Sequence, residues 1–321
     1  MPAKGVLLIL NKSLKLIILP TEECNFRCKY CYENFEIGKM NPEVVMGIKN
    51  LIKNRSDDLE FLYLDWFGGE PLLAFDIIRD IMEYSISLSE KYNFAVSSGM
   101  TTNGSLLTAN KHKELNELKV TRFQISFDGD SPIHDTLRVT KHNSGSFDII
   151  YNNLLNFHDS DTDNNITVRM HLNRNNLESV ESFLEKLHRD VGNDNRFSIL
   201  VEQLRKMGGK NDSKIPVINE ERERQSSYKR IIEKSKSLGF RTLSPMDDEI
   251  HVCYASMFSS YVIRSKGEIG KCTVALYDDK NTIGFLSTNG KVQLDKKKLE
   301  YWVRGQFSKN PEQLACPLYS R

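Results

Sequence analysis

The sequence has no apolar run approaching the ~18–20 residues that a membrane-spanning helix needs. Its longest early candidate, Val6 to Leu10, is interrupted by Asn11 and Lys12 too soon to be a signal-peptide core. It also lacks an excess of one charge. Its 44 Lys+Arg oppose 43 Asp+Glu for a net +1, and the two signs are interspersed. That balance excludes a bulk nucleic-acid or membrane-surface binder. Internal repeats and low-complexity segments are absent. Cysteine is scarce, with six in 321 residues in two groups of three, a usage that excludes an oxidised disulfide scaffold and fits a cytoplasmic protein with metal-bound thiolates. With 39% hydrophobic and 27% charged residues, the chain reads as globular, one large domain with or without a smaller one.

The first cysteine group lies in Glu23-Cys24-Asn25-Phe26-Arg27-Cys28-Lys29-Tyr30-Cys31. A Cys-x3-Cys-x2-Cys spacing suits neither a zinc knuckle, which wants paired Cys-x2-Cys units and a fourth ligand, nor a single disulfide. Three thiolates in one short loop can hold three irons of a [4Fe–4S] cube and leave the fourth open.

Around this loop the chain alternates strand and helix. Val6–Leu10 and Leu14–Leu19 read as a hairpin feeding a buried strand that Pro20 ends. Helices are expected over 42–54, 75–91, 109–118, 145–158 and 176–189. Strands are expected over 61–67, 95–102, 121–127, 166–172 and 197–204. Six β-then-α units with short connections imply a parallel sheet with helices outside it. They are too few for a closed eight-stranded barrel, so the fold class is α/β, a partial (β/α)6 TIM-like barrel. The cysteine loop follows the first strand's C-terminal end, where such barrels place their chemistry. A polar Gly-rich loop over 208–214 and a charged helix over 220–238 follow. The rhythm stops after Gly239, where 259–264 and 269–274 read as a hairpin turning at Gly267. The expected domains are 1–240, with 1–13 as an N-terminal hairpin strand, and 241–321.

The cysteine triad, with Tyr30 before its last member and Tyr32-Glu33 after it, resembles the signature of the radical S-adenosylmethionine (AdoMet) enzymes. Trp66-Phe67-Gly68-Gly69-Glu70-Pro71, Thr101-Thr102-Asn103-Gly104 and Ser126-Phe127-Asp128-Gly129 narrow the resemblance to the peptide-modifying branch with a C-terminal SPASM or twitch domain, which includes anaerobic sulfatase maturases. It covers about residues 14 to 321. It implies a cluster on Cys24, Cys28 and Cys31 whose open iron binds AdoMet, and reductive cleavage to a 5′-deoxyadenosyl radical. Gly68 and Gly69 would let backbone approach the methionine ammonium, and Glu70 would accept a charge-assisted hydrogen bond from it. Thr102 and Asn103 end the third strand beside the cofactor. Ser126 and Asp128 would reach the ribose hydroxyls, Arg138 would pair with the methionine carboxylate, and Tyr30 would pack near the adenine. Asn103-Gly104 and Asp128-Gly129 are also ordinary turn dipeptides, and His134 and His171 read as structural.

The second group, Cys253, Cys272 and Cys316, opens as Cys253-x13-Gly267-x4-Cys272, the pattern of SPASM and twitch domains. The resemblance implies an auxiliary [4Fe–4S] cluster on these three, with Cys316 arriving after a short helix around 298–303. The alternative is three buried free thiols. The chain departs from SPASM relatives in ending five residues after Cys316, with Tyr319 where a further cysteine might be sought; this implies a twitch or truncated SPASM α+β domain. It departs from the sulfatase maturases at Thr273, where they carry an aspartate base that a threonine hydroxyl cannot replace near neutral pH.

The implied function is maturation of a ribosomally made precursor peptide by crosslinking, thioether formation or epimerisation. An external flavodoxin- or ferredoxin-like protein would supply electrons. The alternatives are formylglycine generation on a sulfatase and a non-catalytic iron–sulfur binding module.

Overall fold

The computed structural model describes residues 12–243 and 251–320; the expected strand over 6–10 lies outside them. Six β/α units build the barrel. The strands are β1 (Ser13–Ile18), β2 (Phe61–Trp66), β3 (Ala95–Thr102), β4 (Val120–Phe127), β5 (Asn165–Leu172) and β6 (Phe197–Gln203). The helices are α1 (Pro42–Arg55), α2 (Phe75–Tyr92), α3 (Ala109–Glu117), α4 (Ser131–Leu137), α5 (Phe147–His158), α6 (Leu177–Val191) and α7 (Glu221–Ser237). Helix α1 starts where the Asn41-Pro42 pair predicts, with proline in its first turn. Helix α4 was not foreseen; it is a short turn between Asp130 and Arg138.

Strands β1 to β6 pair in sequence order and in parallel, each joined to the next by a helical crossover. The outer face is apolar. Leu14, Leu16 and Ile18 of β1 and Leu62, Leu64 and Trp66 of β2 are buried against the helices. The inner face alternates polar with apolar residues: Lys15, Asp65, Thr101, Gln124, Thr167 and Arg169 line a lumen. A fully packed parallel sheet would be apolar on both faces. This one lines an open cavity instead.

The sheet continues past residue 240 at both ends. Short β7 (Arg241–Leu243) pairs in parallel with β6, and β8 (Ser260–Ile263) pairs in parallel with β1, Lys15 opposite Ser260. Three antiparallel strands follow β8: β9 (Glu268–Gly270), β10 (Gly284–Leu286) and β11 (Val292–Leu294). The order β11-β10-β9-β8-β1 through β7 leaves β7 and β11 as edges, so the barrel is open. Strand β9 is shorter than expected because the Lys271 and Cys272 amides leave the ladder and donate to Asn281 Oδ1, each at 2.9 Å. Helices α8 (Lys296–Ser308) and α9 (Pro311–Ala315) end the chain. None of the described helices is long and apolar enough to cross a membrane.

Helix α1 holds this C-terminal layer to the barrel. Asn50 Nδ2 donates to Thr288 O at 2.8 Å and Asn54 Nδ2 to Asn289 O at 3.0 Å. The β10–β11 turn passes so close that a Cβ on Gly290 (φ +80°) would lie 2.4 Å from Leu51 N. Backbone cannot yield there. Gly290→Ala is therefore expected to cost about 2–4 kcal/mol, combining a left-handed dihedral with overpacking. At Gly38 the nearest atom would be 3.6 Å away, so Gly38→Ala should stay within about 0.5 kcal/mol. Urea unfolding of the two variants checks the contrast, and equal midpoints would contradict it.

Candidate active site at the cysteine loop

The loop leaves β1 at its C-terminal end and is tied down from both sides. At its start the buried Glu22 carboxylate pairs with Arg264 and accepts from Ser265 N at 3.3 Å, both just beyond β8. Along its length Arg27 N donates to Val139 O and Lys29 N to Leu137 O, each at 2.8 Å. Cys31 N donates to Cys28 O at 3.1 Å. The Gly-rich segment after β6 closes over the far end, where a Cβ on Gly209 would meet Cys31 O at 2.5 Å. Cys28 and Cys31 line a cavity of about 250 Å³ with Arg27, Glu33 and Lys210.

The three thiols sense one another. Burial first, and then the charges of Glu70, Cys28 and Cys31, push Cys24 up. Burial, Glu33 and Cys28 push Cys31 up to about 12. Burial also raises Cys28, with Arg138 opposing. Thiols held protonated in this way ionise when a metal displaces the proton. Cys24 Sγ accepts from Phe26 N at 3.3 Å and from Asn103 Nδ2 at 3.8 Å.

Behind the loop lies the Gly68-Gly69-Glu70 turn. Gly68 has φ +115°, and a Cβ on Gly69 would lie 2.3 Å from Glu23 O and 3.0 Å from Cys24 Cβ. Glu70 is fully buried. Its carboxylate accepts from Leu72 N at 3.0 Å, Asn103 N at 2.8 Å and the Thr102 hydroxyl at 2.9 Å. Burial raises its pKa, and the hydrogen bonds from Asn103, Leu72 and Thr102 pull against that. Its lone pairs serve the protein first, which makes it a positioning residue for Asn103. Asn103 Nδ2 donates to Asn25 Oδ1 at 2.8 Å, and its Oδ1 accepts from the Ser105 hydroxyl at 2.7 Å. Asn25 escaped the sequence reading, although it sits between two motif residues.

Past β4 a second buried network forms. The Tyr30 hydroxyl donates to Asp128 Oδ2 and accepts from Arg138 Nη1, both at 2.7 Å. His171 Nδ1 lies 3.1 Å from Asp128 Oδ1. Burial opposes ionisation of Asp128, but the His171 hydrogen bond and the charges of His171, Arg138 and His134 outweigh it and lower the pKa. Burial, and then the charge of Arg169, lower His171, with Asp128 opposing. Arg138 is buried with its Nε unpartnered. The Ser126 hydroxyl hydrogen-bonds to no other described residue. Tyr30's ring lines a cavity of about 280 Å³ with Leu137, Leu204, Ile215 and Pro216.

Cys253, Cys272 and Cys316 also come together. Burial first, and then the charges of Cys272 and Cys316, raise Cys253 to about 11. Cys253 N donates to Leu314 O at 2.9 Å, tying the first cysteine to the helix that ends at the last. Thr273 lines the lumen beside Tyr254, whose hydroxyl lies 2.9 Å from its Oγ1.

Residues 18–187 match the Radical SAM superfamily. The chain belongs to that superfamily. It is similar to the cysteine-type anaerobic sulfatase-maturating enzyme of Clostridium novyi, 29% identical over 151 residues, 44% of this chain and 40% of the relative. The chain spans less than half the length of the curated relatives it matches. Its fold resembles that of anSMEcpe solved with AdoMet and the Cp18Cys peptide (TM-score 0.70, 19% identity, 90% of this chain and 79% of that one). It also resembles Streptococcus suis SuiB bound to its precursor peptide SuiA (TM-score 0.64, 16% identity, 94% and 67%).

Radical SAM proteins use a [4Fe–4S] cluster and AdoMet, and the residues present fit both. Three neighbouring thiols supply the irons' ligands. The Arg138 guanidinium, buried with a free Nε, suits the AdoMet carboxylate, and the free Ser126 hydroxyl suits a ribose oxygen. Among the described residues no three Cys, His, Asp or Glu side chains converge on a single metal ion. A cube holds each thiolate on a separate iron and so keeps them further apart.

Because Glu70 accepts from three protein donors, Glu70→Gln turns an NH2 group against at least one of them. The expected cost is about 1–3 kcal/mol of stability, read as a lower urea midpoint at unchanged m-value. An unchanged midpoint would mean that the carboxylate does not hold the turn, β3 and the loop together.

Proposed function

We propose that this chain is a radical SAM enzyme that modifies a peptide, with a [4Fe–4S] cluster on Cys24, Cys28 and Cys31 and an auxiliary cluster on Cys253, Cys272 and Cys316 in the segment 241–321. The observation that carries the reading is the juxtaposition of three mutually sensing thiols with a buried, part-unpartnered Arg138. The bound cluster supplies one electron to AdoMet and thereby a carbon radical able to take a hydrogen atom from the substrate. Arg138 fixes the AdoMet carboxylate, and Asp128, through Tyr30, holds Arg138 in place. Glu70 presents the Gly68-Gly69 backbone to the ammonium. Ser126 orients the ribose, and the Gly209 segment covers the thiols from solvent. An external flavodoxin- or ferredoxin-like protein delivers the electron.

A peptide substrate is supported by the maturase named among the relatives, by the peptides bound in the two similar structures, and by an open lumen of about 630 Å³. Formylglycine generation is the weaker reading. Thr273 is no base, and the lumen's one described carboxylate, Asp65, is paired with Lys15 and Arg122. Reactions without a base at that point, such as crosslinking, thioether formation or epimerisation, fit better.

Anaerobically reconstituted wild type should bind about eight irons, two cubes of four, and release 5′-deoxyadenosine from AdoMet under reduction. The Cys24→Ala, Cys28→Ala, Cys31→Ala triple variant should lose about four irons and all cleavage. The Cys253→Ala, Cys272→Ala double variant should also lose about four, yet still cleave AdoMet. Cleavage by the triple variant would sink the reading. A wild-type count near four would remove the auxiliary cluster.

A further inference from the structure

Among the described residues the lumen wall carries Lys15, Arg122, Arg169 and Arg241 against a single carboxylate, Asp65. Lys15 and Arg122 both use that carboxylate, at 2.5 and 3.1 Å. Arg169 has no such partner among the described residues. Its Nε is buried without a hydrogen bond, and no ion pair joins its guanidinium to another described residue. Arg169 is half-buried; a buried Nε left unbonded is costly, and the planar guanidinium fork is shaped for a carboxylate. In the β4–β5 register Arg169 stands opposite Ser126, two residues before His171. It therefore lies where the proposed AdoMet site meets the lumen, within reach of whatever substrate segment enters. Arg241, the other cation without a described partner, is on β7, two strands from β5 and so about 10 Å across the sheet. Cations so separated suit the spaced side chains of a peptide better than one phosphate group.

We infer that the substrate segment entering the lumen is acidic, and that Arg169 binds an aspartate or glutamate carboxylate next to the position modified. This makes Arg169 a specificity-determining residue, and it rests on the peptide-modifying reading above. The carboxylate pairs with a half-buried cation and fixes the register of the peptide beneath the cofactor. Lys15 and Arg122 cannot take this part without giving up Asp65.

The test uses AdoMet-loaded, reconstituted holoenzyme and four capped tripeptides: Ac-Gly-Asp-Gly-NH2, Ac-Gly-Glu-Gly-NH2 and their Asn and Gln counterparts, with GTP as a polyphosphate probe. Ligand-observed NMR titration should find an acidic peptide bound at least about tenfold tighter than its amide isostere, the worth of one charge-assisted contact. Arg169→Gln should abolish that preference, while Arg241→Gln should keep it. Should Arg169→Gln fail to fold, Arg169→Lys carries the test, keeping the charge but losing the fork, and should lower the preference several-fold. Equal binding of acids and amides, a preference unchanged in Arg169→Gln or Arg169→Lys, or GTP bound tighter than either acidic peptide would overturn the inference. If those results came with wild-type AdoMet cleavage intact, the peptide-binding detail alone would fall. Absence of cleavage would bring down the parent reading whichever peptide bound.

Discussion

The buried Glu70 carboxylate is the constraint from which the rest of the site follows. An ionised carboxylate removed from water loses several kcal/mol of solvation, and it persists only where donors surround it. Here the donors come from the turn after β2 and from the end of β3: Leu72 N, the Thr102 hydroxyl and Asn103 N. Glu70 N in turn donates to Glu23 O at 2.9 Å, one residue before the first thiol. Three pieces of chain that are distant in sequence are thus held in one place. Gly69 completes the contact, since any side chain there would displace Cys24. The position of the first cysteine is therefore set by a carboxylate that need not touch a substrate.

The second organising feature is the split between the two faces of the sheet. Outward residues build the core with the helices, while the inward face mixes charged and polar residues with apolar ones such as Ile17 and Phe67 and leaves a cavity. The pairing of β8 with β1 sets the wall of that cavity beyond the six β/α units and carries Thr273 and Tyr254 to it. Arg264, just past β8, pairs with Glu22 at the root of the cysteine loop. The C-terminal layer is therefore part of the site's construction as well as the holder of the second cysteine group.

Much of this was legible in the sequence. The β/α rhythm, the open barrel, the Asn41-Pro42 helix start and the place of the cysteine loop all follow from local pattern. The alternation Asn165, Thr167, Arg169, His171 already marks one face of β5 as polar. The β1–β8 pairing was not legible, because Ser260–Ile263 reads equally well as an isolated hairpin arm and its partner lies some 240 residues earlier. The short β9 was hidden because a side chain, Asn281, takes over the backbone bonds. The free Nε groups of Arg138 and Arg169 appear only when every neighbour is in place, since sequence names a charge but not its missing partner.

The central claim is that three thiols leave one iron of the cube open for AdoMet. It is tested most directly by electron–nuclear double resonance on the reduced protein mixed with AdoMet labelled with 15N at the amino group and 17O at the carboxylate. Both labels should show hyperfine coupling to the cluster spin in the wild type, with the carboxylate signal weakened in Arg138→Ala. A reduced [4Fe–4S] signal that shows no coupling to either label would contradict it.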